Sequence, residues 1–122
     1  MSKFVIRATP SGVKFDLKAP NGQTIASSEV YKTHAACMRG IASIQKCTPV
    51  AAIEDLTAEN PVSRANPKFE MYRDRAGQFR FRLKARNGKI IAVSEGYTTR
   101  TACENGMDSV IKNAPLAEIC RE

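Results

Sequence analysis

The chain has 122 residues, of which 43% are hydrophobic and 25% are charged, a balance that excludes a collagen, a coiled coil and an intrinsically disordered protein. Lysine and arginine number 19 against 12 aspartate and glutamate, so the formal net charge is +7, which favours an anionic partner. The length predicts one domain or two very small ones.

The sequence has four cysteines and one histidine, residue types that indicate the cellular compartment and the capacity to bind a metal. No Cys-x-x-Cys pair is present and one histidine leaves little for a metal site, so neither a metal nor a cofactor is predicted. The first apolar run ends at Arg7, too early for a signal peptide, and no stretch is long enough for a membrane span. We therefore expect a cytoplasmic protein with no membrane contact, whose cysteines are free thiols.

Alternation of apolar and polar residues predicts three strands, a helix and a fourth strand in the first part of the chain. The helix is predicted from an N-cap at Thr33 to about Lys46, where Pro49 stops it. The strands are predicted at residues 4–7, 13–19 and 24–28, with a short fourth strand around residues 51–53.

Two glycine positions carry structural expectations. Asn21-Gly22 predicts a type I′ hairpin turn, which needs a positive φ at both residues. Gly40 lies in the middle of the predicted helix, where glycine costs about 1 kcal/mol. Because glycine recurs at position 106, we expect the helix backbone to approach the sheet closely at both positions.

The second part of the chain repeats the first. Residues 15–22 (FDLKAPNG) align with residues 81–88 (FRLKARNG), and residues 25–31 align with residues 91–97, at a constant offset of 66. The chain is therefore a tandem duplication of a β-β-β-α-β unit. Each copy has about 55 residues, near the lower limit for independent stability, so the two copies are expected to share one core. The predicted organisation is repeat 1 at 1–56, a linker at 57–67 and repeat 2 at 68–122.

The repeated motifs resemble those of the YegP-like family, small bacterial domains of unknown function that often occur in tandem. The resemblance rests on Phe-x-Leu-Lys-Ala-x-Asn-Gly, on Ser-Glu-x-Tyr and on the Ala-Cys-x-x-Gly helix, and it covers nearly the whole chain. It implies an α+β fold with one shared antiparallel sheet, two helices on one face, pseudo-two-fold symmetry and C-terminal strands exchanged between the repeats. The exchanged strands would lie near residues 51–56 and 116–120. The family provides no catalytic residue and no cofactor to carry over.

Positive charge is concentrated in residues 73–89, which hold seven basic residues against one acidic, whereas the matching residues 7–23 hold three against one. Alternation along the strand places its basic residues on the face opposite Phe81 and Leu83, where Tyr72 is able to stack on a base. One interpretation is a binding site for nucleic acid or another polyanion, and the other is a sheet surface whose charges prevent aggregation. The predicted polyanion-binding residues are Tyr72, Arg73, Arg80, Arg82, Lys84 and Arg86.

A second candidate is the Ser-Glu-x-Tyr motif, which places Glu29 and Tyr31 in one copy and Glu95 and Tyr97 in the other. These four residues form a pocket or an acid–base pair in one interpretation. In the other, the tyrosines pack where a strand turns into a helix. Cys37 and Cys103 lie on the predicted apolar helix faces and are expected to be packing residues.

The sequence thus predicts a non-enzymatic binding module, expected to be a monomer, whose basic sheet face meets nucleic acid or another polyanion. The alternative is a protein–protein or self-association module that works through the sheet edges or the pseudo-symmetric interface.

Overall fold

The strands and helices follow the predicted order in both copies. The structure, a computed structural model, describes residues 2–122. Within them lie eight strands, two α-helices and one 3₁₀ turn. Their bounds are β1 (Lys3–Thr9), β2 (Gly12–Lys18), β3 (Thr24–Ser27), α1 (His34–Cys47), β4 (Ala52–Asp55), β5 (Lys68–Arg73), β6 (Phe79–Lys84), β7 (Ile90–Val93), α2 (Arg100–Asn113), the 3₁₀ turn (Ala114–Leu116) and β8 (Glu118–Arg121).

Both helices begin at the predicted threonine caps. The Thr33 hydroxyl accepts a hydrogen bond from the Ala36 amide at 3.1 Å, and Thr99 does the same for Ala102 at 3.1 Å. Each hydroxyl satisfies one of the amides that the first helical turn leaves without a partner.

The Asn-Gly hairpins have a different turn from the one predicted. Gly22 and Gly88 have positive φ values of 87° and 83°, but no other residue type in the described part of the chain does. The Gly22 amide donates to the Ala19 carbonyl, and Asn21 Oδ1 accepts a hydrogen bond from the Gln23 amide at 3.0 Å. This is a type I turn followed by a left-handed glycine, so the type I′ prediction is wrong. The asparagine side chain fixes the turn by its hydrogen bond and needs no positive φ of its own.

Strand order confirms the predicted exchange. The strands of residues 2–122 form one sheet in the order β4-β5-β6-β7-β3-β2-β1-β8. A pseudo-two-fold axis passes between β3 and β7, which pair at Ser27 and Val93. The last strand of the first copy, β4, pairs with β5 of the second, and β8 of the second copy pairs with β1 of the first.

The sheet is mixed, whereas a wholly antiparallel sheet was predicted. In the described residues five neighbouring pairs are antiparallel, but β4–β5 and β1–β8 are parallel. Strands joined by a hairpin must run antiparallel, whereas no hairpin joins β4 to β5 or β1 to β8, since residues 56–67 separate the first pair and all the other strands separate the second. The antiparallel prediction is therefore wrong for the two outer pairs.

One apolar core joins the two copies. α1 contacts β2 and β7, and α2 contacts β6 and β3, so each helix packs on strands of both copies. The buried rings of Phe4 and Phe15 meet edge to face at 5.7 Å, and those of Phe69 and Phe81 repeat the contact at 5.9 Å. We call the side of the sheet under the helices the helical face and the opposite side the outer face.

The segment between the copies is attached to the sheet. The Arg64 amide donates a hydrogen bond of 2.6 Å to Glu54 Oε1 on the outer face. Pro67 is buried, and its carbonyl accepts a hydrogen bond from the Ala52 amide at 3.3 Å. The linker therefore reaches the outer face of the second half, beside β4 and β5.

Candidate functional site

Four of the six predicted polyanion-binding residues share the outer face. Tyr72 pairs with Arg80 across β5 and β6, and Arg82 and Lys84 follow on the same side of β6. All four side chains are partly exposed. The Arg82 guanidinium lies over the Tyr72 ring, 4.7 Å from its centre, so one face of the ring is already covered by a cation.

The other two predicted residues lie elsewhere. The Arg73 guanidinium is 4.7 Å from the centre of the Phe79 ring, which packs on the helical face. Arg86 lies in the hairpin beyond the end of β6 and lines a cavity of about 240 Å³ with Lys46 and Cys47 of α1. Alternation failed at Arg86 because β6 ends at Lys84, and Arg86 lies in the turn that the hydrogen bond from the Gly88 amide to the Ala85 carbonyl closes.

Carboxylates form ion pairs with the basic row of the second half, which consists of Arg80, Arg82 and Lys84 on β6. Glu70, which is 4% exposed, lies opposite Arg82. Its carboxylate is 2.7 Å from Arg82 Nε, 3.2 Å from Lys84 Nζ and 3.3 Å from Lys68 Nζ. Burial raises the pKa of Glu70, but hydrogen bonds from these three cations outweigh it and leave the pKa below its ordinary value.

Two more carboxylates complete this network. Glu54 of the exchanged strand β4 accepts a hydrogen bond of 2.9 Å from Lys68, and Asp74 accepts one of 2.7 Å from Arg80. The bond from Lys68, followed by the Arg64 amide, lowers the pKa of Glu54, and the bond from Arg80 lowers that of Asp74. On the outer face of the second half, the basic residues are thus largely neutralised.

The outer face of the first half has more uncompensated charge. Lys3, Lys14 and Lys18 lie on it by alternation with the buried Phe4, Phe15 and Leu17. None of these three lysines forms an ion pair with any residue of 2–122. Arg7 pairs with Asp16 at 3.0 Å. On the outer face, the positive charge without ion pairs thus lies in the first half, whereas the local charge count pointed to the second half.

The two Ser-Glu-x-Tyr motifs form the predicted corners between strand and helix. Ser28 Oγ accepts a hydrogen bond from the Phe15 amide at 2.9 Å and donates to the Glu29 carbonyl at 2.7 Å. Ser94 makes the same two bonds in the second copy. The serines therefore fasten each corner to the adjacent strand.

The tyrosines of these motifs pack on both the sheet and a helix. Tyr31 stacks on Phe15 at 6.2 Å, and Tyr97 stacks on Phe81 at 6.4 Å. A Cβ at Gly40 would overlap the Tyr31 hydroxyl, and one at Gly106 would overlap the Tyr97 hydroxyl. The helix glycines are thus needed for close approach, as predicted, although the nearest neighbour is the tyrosine itself.

The four motif residues do not meet in one pocket. Glu29 and Tyr31 line a cavity of about 800 Å³, and Glu95 and Tyr97 are not among the residues that line it. Burial raises the pKa of both tyrosines, with smaller contributions from the neighbouring cysteine and glutamate, so both phenols are protonated near neutral pH.

The cysteines of the helices are packing residues. Cys37 and Cys103 are 0% exposed and belong to the core. Burial raises the pKa of Cys37, and burial, with Glu104 and Asp55, raises that of Cys103 to about 11. Both are therefore thiols and poor nucleophiles near neutral pH. In residues 2–122, no three His, Cys, Asp or Glu side chains converge as metal ligands, and neither helix is long and apolar enough to cross a membrane.

Sequence reasoning missed Glu54 and Glu70, the residues that neutralise the row. Glu70 was accessible to prediction, because the β5–β6 hairpin places it opposite Arg82. No local signal pointed to Glu54, because it arrives on a strand from the other copy.

The fold and its surfaces define a class of protein, a tandem α+β repeat with exchanged outer strands. The chain belongs to the family described as Domain of unknown function (DUF1508), whose model matches residues 12–55 and 74–120, one match in each copy. Its relatives confirm the resemblance to the YegP-like family. No specific function is established for this family.

Curated relatives and solved structures agree with this assignment. The UPF0339 protein YegP of Yersinia pestis is 41% identical over 99 residues, which cover 81% of this chain and 75% of that protein. The UPF0339 protein in the ptx operon 5' region of Stutzerimonas stutzeri is 62% identical over 47 residues, 38% of this chain and 42% of that protein, so the match spans less than half of it. The solution NMR structure of yegP from E. coli, a protein of unknown function, has a TM-score of 0.79 at 30% identity, covering 99% of this chain and 92% of that one.

Proposed function

We propose that this protein is a small, non-enzymatic, cytoplasmic and monomeric module that binds a polyanion, nucleic acid in the first place, on the outer face of its sheet. The observation that carries the proposal is the set of three lysines without ion pairs on the outer face of the first half, Lys3, Lys14 and Lys18. Three cations on adjacent strands match a phosphate backbone better than a single charge does.

The predicted row in the second half contributes less to this function. Glu70 and Glu54 already occupy Arg82, Lys84 and Lys68. A phosphate must compete with a buried carboxylate for these cations, whereas at the lysines of the first half it displaces only solvent. Arg80, Arg82 and Lys84 therefore rank second as contacts.

The non-enzymatic and cytoplasmic parts of the proposal rest on how potential nucleophiles are used. The Ser28 and Ser94 hydroxyls are bonded to the backbone, and the Cys37 and Cys103 thiols are buried and protonated. All four cysteines are free, which is the usual state in a reducing compartment.

Fluorescence polarisation against labelled single- and double-stranded DNA and RNA, from about 50 to 200 mM salt, tests the proposal. The key variant replaces Lys3, Lys14 and Lys18 by glutamine, and its matched control replaces Arg80, Arg82 and Lys84 by glutamine. We expect the first variant to lower affinity at least tenfold and to flatten the dependence of log K on log salt by roughly 2–3. The second variant should lower affinity only a few-fold.

Three outcomes contradict the proposal: no binding at low salt, binding that salt does not weaken, or equal affinities for the wild type and the lysine variant. Amide NMR spectra of each variant establish that it is folded before its affinity is compared.

A second candidate function is a protein–protein or self-association module, favoured by apolar side chains at both sheet edges. Leu116 precedes β8 and is 81% exposed, and Ile119 on β8 is 43% exposed. The matching Val50 precedes β4 and is 60% exposed, and Ile53 on β4 is 43% exposed. Sedimentation velocity over a hundred-fold range of concentration tests it. Self-association that Leu116→Ser and Ile119→Thr abolish supports this candidate, and a constant monomer mass in the wild type excludes self-association.

A further inference from the structure

The cavity of about 800 Å³ lies on the helical side of the molecule, away from the outer face. Its walls are the corner at Glu29 and Tyr31, the first half of α1, and residues 87–91, where the second-copy hairpin enters β7. It therefore lies between the two copies, within the size range of small-molecule sites.

Two basic side chains line this cavity without ion pairs. Arg39 comes from α1 and Lys89 from the hairpin, and both residues are exposed. Neither forms an ion pair or a side-chain hydrogen bond with any other part of residues 2–122. Glu29 is the one carboxylate among the lining residues in the described chain, so the cavity is cationic.

The matching positions in the other half lack this charge. At the constant offset of 66, Asn105 stands at the position of Arg39 and Gln23 at that of Lys89, while Glu95 matches Glu29. The two cations are thus not required by the shared fold, because the same fold is built around neutral side chains at the equivalent places.

The Tyr31 hydroxyl adds a hydrogen-bond donor to the wall. Its ring is fixed by stacking on Phe15 and by close contact with Gly40, while its hydroxyl has no hydrogen-bond partner in residues 2–122. Because burial raises the pKa of Tyr31, the hydroxyl keeps its proton near neutral pH and is able to donate a hydrogen bond to an anion.

Apolar surface completes the site. Ala36 on α1 and Ile90 and Ile91 at the start of β7 line the cavity beside the cations. An apolar wall next to a cationic one matches a molecule with an anionic group and an organic body.

From this arrangement we propose that the cavity binds a small organic anion, with its phosphate or carboxylate between Arg39 and Lys89 and its organic part against Ile90 and Tyr31. Arginine supplies a planar fork for the oxygen atoms and lysine a mobile point charge. This site is separate from the polyanion surface and does not depend on it.

Amide NMR titrations of the full chain with phenyl phosphate, phenylacetate, inorganic phosphate and neutral benzyl alcohol test this inference. We expect saturable shifts confined to residues 29–40 and 87–91 with one or both aromatic anions. Benzyl alcohol should produce none, and inorganic phosphate should bind at least fivefold more weakly. The comparison of phenyl phosphate with phenylacetate identifies the preferred anionic group.

The cavity variant replaces each cation by the residue that stands at the equivalent position of the other half. The double variant of Arg39→Asn and Lys89→Gln should weaken binding at least tenfold, and Tyr31→Phe should weaken it a few-fold. The matched control of Arg75→Gln and Lys112→Gln removes two exposed cations elsewhere and should leave affinity unchanged. Affinity for nucleic acid should be the same in the cavity variant as in the wild type.

The inference is overturned if neither aromatic anion produces shifts up to about 20 mM, or if the cavity variant and its control weaken binding equally. Shifts that map to Lys3, Lys14 and Lys18 also overturn it, because they assign the anion to the outer face. The proposed nucleic-acid binding is tested by its own measurement, whichever of these results is obtained.

Discussion

The outer faces of the two halves are built from equivalent strands and differ in how many carboxylates neutralise their basic residues. The offset between the copies is 65 in the first strand of each copy, so Glu70 in the second half is matched by Val5 in the first. Beyond it the offset is 66, so Glu54 is matched by Cys120 and Arg82 by Asp16. The half with more basic residues in its sequence is the neutralised one. Local charge counting fails here because two of the neutralising carboxylates, Glu54 and Glu70, come from outside the counted segment.

Connectivity adds a second difference between the halves. A tandem duplication has only one linker, and its Arg64 amide bonds to Glu54 on the second half's outer face. On the first half, Cys120 of β8 stands at the position of Glu54, so this hydrogen bond has no counterpart there. Pseudo-symmetry of the fold therefore does not extend to the contacts of the two outer faces.

The largest expected effect comes from removing the centre of the second network. Glu70→Gln leaves Lys68, Arg82 and Lys84 close together without their shared counter-charge. We expect a loss of about 2–3 kcal/mol in the free energy of unfolding, measured by urea denaturation. Asp16→Asn, which breaks the more exposed pair of the first half, should cost about 0.5–1 kcal/mol. Equal losses in the free energy of unfolding would show that the two carboxylates stabilise their halves to the same extent.

Glu70→Gln also tests whether the carboxylate masks the basic row. With the carboxylate gone, Arg82 and Lys84 are available to phosphate, so affinity for single-stranded DNA at 50 mM salt should rise about threefold to tenfold. An unchanged affinity in a folded Glu70→Gln protein would indicate that nucleic acid does not reach this half at all.

Acid should weaken the second half before the first. The pKa values of Glu54, Asp55, Glu70 and Asp74 are all lowered in the folded protein, and all four carboxyls lie in β4, β5 or the loop after β5. A lowered carboxyl pKa stabilises the fold above the unfolded value, near 4, and this contribution is lost as pH falls through the folded pKa.

Native-state amide exchange between pH 6 and pH 3 measures this order of opening. Protection factors in β5 and β6 should fall at a higher pH than those in β1 and β2. Simultaneous loss in all four strands would mean that the carboxyl network contributes only to global unfolding.

The sequence predicted the element order, the helix caps, the shared core and, through the family resemblance, the strand exchange. Local signals were sufficient for the helix caps, because each cap depends on residues close in the chain, such as Thr33 and Ala36. The turn type was missed because Asn21 uses its side chain where a positive φ was expected. The sheet direction was missed because β4 and β8 pair with strands to which no hairpin joins them.

The candidate sites were less predictable than the fold. Alternation placed Arg80, Arg82 and Lys84 correctly but not Arg86, beyond a shift in register. Arg39 and Lys89 were missed because they are 50 residues apart in the chain. They line the same cavity only because α1 lies beside the other copy's hairpin in the fold. Comparing the copies position by position would have singled them out, since Asn105 and Gln23 replace them.

One pair of equivalent positions is coupled in both halves by different interactions. Arg7 and Asp16 form an ion pair at 3.0 Å in the first half. The same positions in the second half are Tyr72 and Arg82, where the guanidinium lies 4.7 Å from the ring centre. Double-mutant cycles, Arg7→Gln with Asp16→Asn and Tyr72→Leu with Arg82→Gln, isolate each coupling from the other contacts of the four residues.

We expect both cycles to give about 0.5–1 kcal/mol at low salt, because both pairs are partly exposed. They should diverge at 0.5 M salt, where the screening length is only about 4 Å. The ion pair should lose more than half of its coupling, whereas the cation–ring contact, which also buries the guanidinium face, should retain most of it. Equal losses would mean that the contact of Arg82 with the Tyr72 ring depends on charge as much as the ion pair does, with no added contribution from burial of the guanidinium face.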